Sequence, residues 1–293
     1  MPTLAGNQVF SSISTDVSKI LSHSRPFCKN FSGSCIRLTS VATRARISSE
    51  LTSQPLQCKN ALSVCDPLEA ILFDIDGTLC DSVPIHYYAF REMLQEVGYN
   101  GGQPITEEFF IKRMNGLHND ELCQLLFPDW DFDRAMKFMD DKEAMFRRLA
   151  PEQLKPVNGL DKLCKWIEER GLKRAAVTNA PKESAELIIS MLGLDDFFKL
   201  IVLGSECDRA KPFPDPYLKA LEHLKVAREH AFVVEDSASG VKAGVAAGMP
   251  VVAIASRNPE KLLKAAGATL VVTDFEDTNL WGALKELDRN LGC

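Results

Sequence analysis

The sequence predicts an α/β fold, in which helices cover a doubly wound parallel sheet and a helical segment is inserted after the first strand. Six short runs of almost uninterrupted apolar residues support this fold, because such runs are typical of parallel strands that are buried on both faces. The runs are Ala70–Phe73, Arg174–Val177, Leu200–Leu203, Ala231–Val234, Val251–Ala255 and Thr269–Val272. Longer segments with helical spacing separate them. The chain has 293 residues, enough for one large domain or two moderate ones.

Residues 1–60 precede the first run and differ from the rest in composition. They hold seven Lys and Arg residues, twelve Ser residues and only two acidic residues, Asp16 and Glu50. A basic, serine-rich and acid-poor segment is typical of an organelle transit peptide. We therefore expect residues 1–60 to be a transit peptide or a disordered tail. The expected location is the chloroplast, with the mitochondrion or the cytoplasm as alternatives.

The interval after the first run contains no convincing strand. Apolar residues recur there at helical spacing, as at Phe90 and Leu94, which indicates amphipathic helices. We predict a helical cap over residues 87–153. The cap is inserted into an α/β core formed by residues 67–86 and 154–293.

Helix signals follow two of the later runs. Asn179 before Pro181 is typical of a cap followed by an early-turn proline, and Gly193 ends the helical pattern after them. Ser237 or Ser239 is suited to begin a helix of small residues farther along the chain. Strands and helices therefore alternate, as a doubly wound sheet requires.

Composition and charge exclude several classes of protein. The net charge of −6 and the 45% of hydrophobic residues are those of an ordinary globular protein. No basic stripe is available for nucleic acid, and the longest uncharged stretch after residue 60, from Ala243 to Ser256, is shorter than the roughly 20 residues of a membrane span. We expect neither nucleic acid nor membrane as a partner. The nine cysteines form no C-x-x-C pair, which favours free thiols over disulfides or zinc ligands.

Polar side chains follow four of the runs. They are Asp74 and Asp76 after the first run, Thr178 and Asn179 after the second, Lys211 in the loop after the third, and Glu235 and Asp236 after the fourth. In an open α/β sheet the carboxyl ends of the strands meet at one edge, where ligands bind. The sequence therefore predicts that four carboxylates, a hydroxyl and an ammonium group converge at this edge. Acids at strand ends also occur as caps and as solvated loop residues, and that alternative stays open here.

The predicted cluster indicates metal-assisted phosphoryl chemistry. Four carboxylates cannot all stay ionised together without compensation, and Mg²⁺ held by oxygen ligands is the usual solution. A lysine and a hydroxyl beside the metal suit a phosphoryl group. Asp74 is then placed to attack phosphorus and form an aspartyl-phosphate. Asp76 is placed to protonate the leaving oxygen and later to activate water.

These motifs resemble those of the haloacid dehalogenase superfamily, in the branch of β-phosphoglucomutase and the sugar phosphatases. Its four motifs are matched in order by Asp74–Leu79, Thr178-Asn179, Lys211-Pro212 and Glu235-Asp236. The resemblance covers about residues 68–275, with the helical cap in the same place. It implies a Rossmann-like parallel sheet core with an inserted helical cap subdomain, in a protein that works as a monomer.

The resemblance also implies roles for the matched residues. Asp74 would be the nucleophile and a metal ligand, and Asp76 the general acid and base that also ligates Mg²⁺ through its main-chain carbonyl. Asp236 would bind the metal directly, and Glu235 directly or through water. Thr178, Asn179 and Lys211 would form the phosphate-binding part of the site, in which Thr178 and Lys211 hold the phosphate oxygens.

The second aspartate, Asp76, favours phosphoryl transfer, because a departing halide needs no acid. His86 matches a hinge histidine of the mutase branch that many phosphatases also carry. Asn119 stands where β-phosphoglucomutases present an arginine to a second phosphate, which favours hydrolysis. Further candidates for substrate contact on the cap are Glu107, Glu108, Lys112 and Arg113.

The expected function is therefore Mg²⁺-dependent hydrolysis of a small phosphorylated metabolite, a sugar or polyol phosphate. The alternatives are a β-phosphoglucomutase-type mutase and a non-catalytic phosphate-binding protein.

Overall fold

The computed structural model describes residues 61–290, with side chains up to residue 288. The predicted transit peptide lies outside the described residues. Within them, six parallel strands form one sheet in the order β3-β2-β1-β4-β5-β6. The strands are β1 (Ala70–Phe73), β2 (Lys173–Thr178), β3 (Ile201–Leu203), β4 (Ala231–Glu235), β5 (Val251–Ile254) and β6 (Leu270–Val272). All six coincide with the predicted runs to within one or two residues.

The register of the central strands brings their carboxyl ends level. Phe73, the last residue of β1, pairs with Ala176 of β2 and with Val234 of β4. Every residue of β1, β4 and β5 is buried, as expected for strands covered on both faces. The residues that follow these strands therefore emerge at one edge of the sheet.

Ten helices accompany the sheet in the described part of the chain. They are α1 (Val83–Glu96), α2 (Glu107–Arg113), α3 (Asn119–Leu126), α4 (Phe132–Gln153), α5 (Leu160–Glu169), α6 (Lys182–Met191), α7 (Asp215–Leu224), α8 (Ala238–Ala246), α9 (Glu260–Ala266) and α10 (Thr278–Asn290). Ile71 and Phe73 pack on one face of the sheet with residues of α5, α6 and α10. Ala70 and Leu72 pack on the other face with residues of α7, α8 and α9. The predicted doubly wound α/β fold is confirmed.

The first four helices, α1 to α4, lie between β1 and β2. They form a hydrophobic core of their own, which includes Phe90, Phe110 and Met139. The far end of α4 departs from this arrangement, because Phe146 and Ala150 pack in the core of the sheet domain. Helix α1 begins at Val83, so the predicted boundary at residue 87 falls inside it. The predicted division into cap and core stays a prediction.

Helix caps give one confirmation and one correction. Ser237 caps α8, because its Oγ accepts a hydrogen bond of 3.0 Å from the backbone N–H of Gly240. Asn179 does not cap the helix after β2, and that prediction is wrong. Helix α6 begins at Lys182 with Pro181 as its N-cap, since the Asn179 side chain is bonded to the loop that carries Lys211.

The five cysteines among the described residues are free thiols, as predicted. Within the same residues, no helix combines the length and the apolar character that crossing a lipid bilayer requires.

Candidate active site

The structure brings the predicted polar residues together at the carboxyl edge of the sheet. Asp74 directly follows β1, and Thr178 and Glu235 end β2 and β4. Lys211 reaches the same place from the loop between β3 and α7. All four side chains are buried, with Lys211 only 2% and Glu235 0% exposed. Burial of so many charges is tolerated only where they are paired and hydrogen-bonded.

Lys211 is the hub of this cluster. Its Nζ donates hydrogen bonds of 2.7 Å to Asp74 Oδ1, to Glu235 Oε1 and to the carbonyl oxygen of Val177. Burial lowers the pKa of Lys211, but the adjacent carboxylates outweigh that effect and raise it above the ordinary value. The side chain is therefore a permanent cation beside Asp74.

Glu235 is held by more donors than Lys211 alone. The Tyr217 hydroxyl donates to Glu235 Oε1 at 3.0 Å, and the backbone N–H of Asp236 and of Ser237 donate to Oε2 at 3.0 Å. Tyr217 is fully buried in α7, six positions after Lys211. The sequence carries no signal for this contact, because only the packing of α7 against the sheet brings the hydroxyl to the carboxylate.

Three carboxylates of the site lie so close together that their charges repel one another, which favours a bound cation. Asp74, Glu235 and Asp236 each present an oxygen within 4.8 Å of the other two. Burial and the Glu235 carboxylate raise the pKa of Asp74 to about 7, although Lys211 opposes the shift. Burial and the Asp74 carboxylate raise the pKa of Asp236 well above its usual range. An all-oxygen donor set under such repulsion fits Mg²⁺.

The turn after β1 is shaped around these carboxylates. Gly77 has a φ of +79°, and a Cβ at this position would lie 2.1 Å from Asp236 Oδ2. Glycine is therefore required both for the backbone conformation and for the close approach. Asn258 donates a hydrogen bond of 3.1 Å to Asp236 Oδ2 and helps to hold the carboxylate in place.

Asp76 has its own partner in the cleft. His86 Nε2 lies 3.0 Å from Asp76 Oδ1, and the imidazole stacks on Phe146 with 3.9 Å between ring centroids. Burial raises the pKa of Asp76, but the hydrogen bond and charge of His86, together with a hydrogen bond from Ser82, hold it below the usual range. The predicted site residue His86 is thus brought to the second aspartate.

Thr178 and Asn179 differ in their surroundings. Thr178 Oγ1 accepts a hydrogen bond of 3.0 Å from the backbone N–H of Ala180 and lines the cleft beside Asp74. The Asn179 amide bonds the backbone of Lys211 at 3.0 and 3.1 Å and donates to the Gly116 carbonyl at 3.4 Å. Asn179 therefore joins the loop of Lys211 to the loop between α2 and α3, residues 114–118, which is called the cap loop below.

A cleft of about 640 Å³, counted with its open mouth, lies between this edge of the sheet and the helices α1 to α4. Asn119 lines the cleft, and so does Asn115, whose Nδ2 is buried without a hydrogen-bond partner among the described residues. The four other cap candidates do not line it. They are Glu107, Glu108, Lys112 and Arg113, and all four are exposed.

Two charged residues of the cleft wall are absent from the sequence-based prediction. Lys142 and Glu143 of α4 are an ion pair that is 3% and 4% exposed and lines the cleft. Neighbouring opposite charges in a polar helix are typical of a solvated surface, so the sequence gives no sign of their burial.

Comparisons with known proteins identify the family of the chain. Residues 71–254 match the haloacid dehalogenase-like hydrolase family. A curated relative, "Phosphorylated carbohydrates phosphatase" of Thermotoga maritima, is 31% identical over 75% of this chain and 100% of its own length. The chain belongs to the haloacid dehalogenase-like hydrolase family, so the predicted family is confirmed and the protein is a hydrolase.

Solved structures show the same fold. A hydrolase of this family from Entamoeba histolytica is 27% identical, with a TM-score of 0.66 over 75% of this chain and 100% of the other. A structure titled putative beta-phosphoglucomutase, from Thermotoga maritima, is 31% identical, with a TM-score of 0.57 over 75% and 99% of the two chains.

Proposed function

We propose that the protein is a Mg²⁺-dependent phosphatase that hydrolyses a small phosphorylated metabolite, a sugar or polyol phosphate, through an aspartyl-phosphate on Asp74. The observation that carries this proposal is the buried contact of Asp74 with Lys211, beside the carboxylate of Asp236. A nucleophile, a cation and a metal-binding acid at one sheet edge are the groups that phosphoryl transfer needs.

The reaction has two steps. An Asp74 carboxylate oxygen attacks phosphorus, and the bond from phosphorus to the leaving oxygen breaks as that oxygen takes a proton from Asp76. Water then attacks phosphorus, gives its proton to Asp76 and releases inorganic phosphate from Asp74. Lys211 neutralises charge on the transferring group, and the Thr178 hydroxyl donates to one of its oxygens.

The Mg²⁺ would be held by the carboxylates of Asp74 and Asp236, by the main-chain carbonyl of Asp76 and, directly or through water, by Glu235. The bound ion supplies charge stabilisation for the phosphoryl oxygens. The contact between His86 and Asp76 favours the ionised carboxylate, which is the form that accepts the proton of the attacking water. His86 thereby acts on the chemistry through Asp76.

The cleft supports a small and polar substrate. Lys142, Asn115 and Asn119, which belong to the helices α3 and α4 and to the loop before α3, place polar groups in the cleft. They would bind the part of the substrate beyond the phosphate. The name of the Thermotoga maritima phosphatase supports a carbohydrate phosphate.

Lys142 also favours a second candidate, a β-phosphoglucomutase-type mutase. A mutase must hold a doubly phosphorylated sugar, so it needs a cation on the cap side, and Lys142 supplies one that the position of Asn119 lacks. The structure titled putative beta-phosphoglucomutase supports the same alternative.

The experiment incubates the protein with a panel of sugar and polyol monophosphates and measures free phosphate and isomerised product, with and without Mg²⁺. Phosphate release that requires Mg²⁺ and is lost in Asp74→Asn is the expected result. Isomer without free phosphate would instead establish the mutase. If no substrate of the panel gives free phosphate or isomer, both enzymatic proposals are contradicted. The chloroplast location and the monomeric state stay predictions.

A further inference from the structure

The ion pair of Lys142 and Glu143 joins the cap to the core of the protein. Both residues lie on α4, whose first half packs with the cap helices. Glu143 Oε2 accepts a hydrogen bond of 2.7 Å from the Ser184 hydroxyl. Ser184 is fully buried on α6, which follows β2 and packs against the sheet. The carboxylate of Glu143 therefore bonds a cap cation with one oxygen and a core hydroxyl with the other.

The direction of the Ser184 hydrogen bond is determined by a third residue. Arg147 Nη1, one helical turn after Glu143, donates to Ser184 Oγ at 3.2 Å. A hydroxyl has one proton, and because Arg147 has no acceptor atom to receive it, the proton of Ser184 is directed to Glu143. Burial raises the pKa of Glu143, but the charges of Lys142 and His86 and the hydrogen bonds from Lys142 and Ser184 bring it below the usual range. Glu143 is thus an ionised acceptor.

Lys142 would be mobile without this support. A lysine side chain has four rotatable carbons and a compact charge, yet this ammonium is held against Glu143 and lies 4.6 Å from the centroid of the Phe90 ring. Of its three N–H donors, only one is used by an acceptor among the described residues. The others are available to a molecule in the cleft.

We propose that Ser184 and Glu143 are positioning residues: Ser184, anchored in the core, holds Glu143, and Glu143 holds the Lys142 ammonium where the cap side of the substrate binds. The inference rests on the proposed function. It assigns to Ser184 an effect on substrates that have a polar group beyond the phosphate. Substrates without such a group are affected far less.

The test compares two substrates in the full chain, a hexose monophosphate and phenyl phosphate, which has no second polar group. Ser184→Ala removes the donor to Glu143, and we expect KM for the hexose monophosphate to rise about tenfold, the effect of one charge-assisted hydrogen bond. For phenyl phosphate we expect a rise of about twofold or less. Ser190→Ala, at an exposed position of the same helix, is the matched control and should change neither value.

A double-mutant cycle separates positioning from a general loss of structure. Lys142→Met removes the ammonium, and in that background Ser184→Ala should add about twofold or less to KM, because the two residues act through one contact. Full additivity of the two substitutions overturns the proposal. Equal losses with both substrates also overturn it. Glu143→Gln keeps the shape of the side chain, and it replaces Ser184→Ala if the latter does not fold.

Failure of the proposed function is recognised separately, because the wild-type protein would then release no phosphate from either substrate. In that case, calorimetric binding of the hexose monophosphate to Asp74→Asn replaces KM. The proposal is supported if Ser184→Ala weakens this binding about tenfold and is overturned if it leaves the binding unchanged.

Discussion

Replacement of Lys211 by methionine tests whether the buried charges of the site depend on a single cation. The substitution keeps the length and much of the volume of the side chain. It removes the ammonium that donates to Asp74, Glu235 and the Val177 carbonyl at 2.7 Å. Two buried carboxylates, which are 8% and 0% exposed, then lose the only cation that the described residues place in contact with them.

The magnitude follows from that burial. Removing one partner of a buried ion pair costs about 3–5 kcal/mol, because the remaining charge is uncompensated. For a domain of this size, each kcal/mol lowers Tm by about 2–4 °C. We therefore expect Tm of the Mg²⁺-free protein to fall by about 6–20 °C. Lys199→Met is the control, because Lys199 is 73% exposed and pairs only with the exposed Asp196; exposed pairs contribute about 0–1 kcal/mol.

The loss of stability depends on pH in a defined direction. The pKa of Asp74 is already raised to about 7, and removing Lys211 raises it further. An acid whose pKa is higher in the folded than in the unfolded protein loses stability as pH rises from its unfolded pKa through its folded pKa. The deficit of Lys211→Met relative to wild type should therefore be smaller at pH 5 than at pH 8.

Thermal unfolding followed by circular dichroism, without Mg²⁺ and at both pH values, measures the effect. A fall in Tm no larger than that of Lys199→Met would show that the carboxylates do not need the cation. A deficit that is the same at both pH values would show that lost packing, and not charge, is the cause.

Two further predictions concern the cap loop and the metal. Gly116→Ala should lower kcat/KM at least about tenfold, because a Cβ there would lie 2.7 Å from Ser237 and hold the cap loop away from the core. Gly101 also has a positive φ but open space around it, so Gly101→Ala should share the stability loss of about 1 kcal/mol and keep its activity. Equal kcat/KM values in the two variants would contradict the argument. Binding of Mg²⁺ near pH 6 to 7 should release protons. The pKa values of Asp74 and Asp236 are raised, so these carboxyl groups retain protons in the metal-free site and must lose them to bind the metal. Calorimetry in buffers of different ionisation enthalpy measures that release, and a heat of binding independent of the buffer would contradict it.

Much of the site was predictable because it depends on short stretches of chain. The strands are recognisable as uninterrupted apolar runs, and the sheet topology requires only that parallel strands share an edge at their carboxyl ends. The positions of Asp74, Thr178, Glu235 and Asp236 follow from these two facts. The sequence was less reliable at Asn179, which it indicated as a helix cap. Its amide is instead bonded to the backbone of Lys211, 32 residues farther along the chain.

Sequence alone therefore predicts the class of fold, the edge of the candidate site and the residues that follow the strands. The side chains that support those residues come from packing between distant elements: the Tyr217 hydroxyl on Glu235, the buried pair of Lys142 and Glu143, and the core hydroxyl of Ser184. The difference lies in the range of the interactions. A buried strand selects apolar residues at neighbouring positions, whereas the burial of a charged residue on a helix depends on which distant element packs against that face.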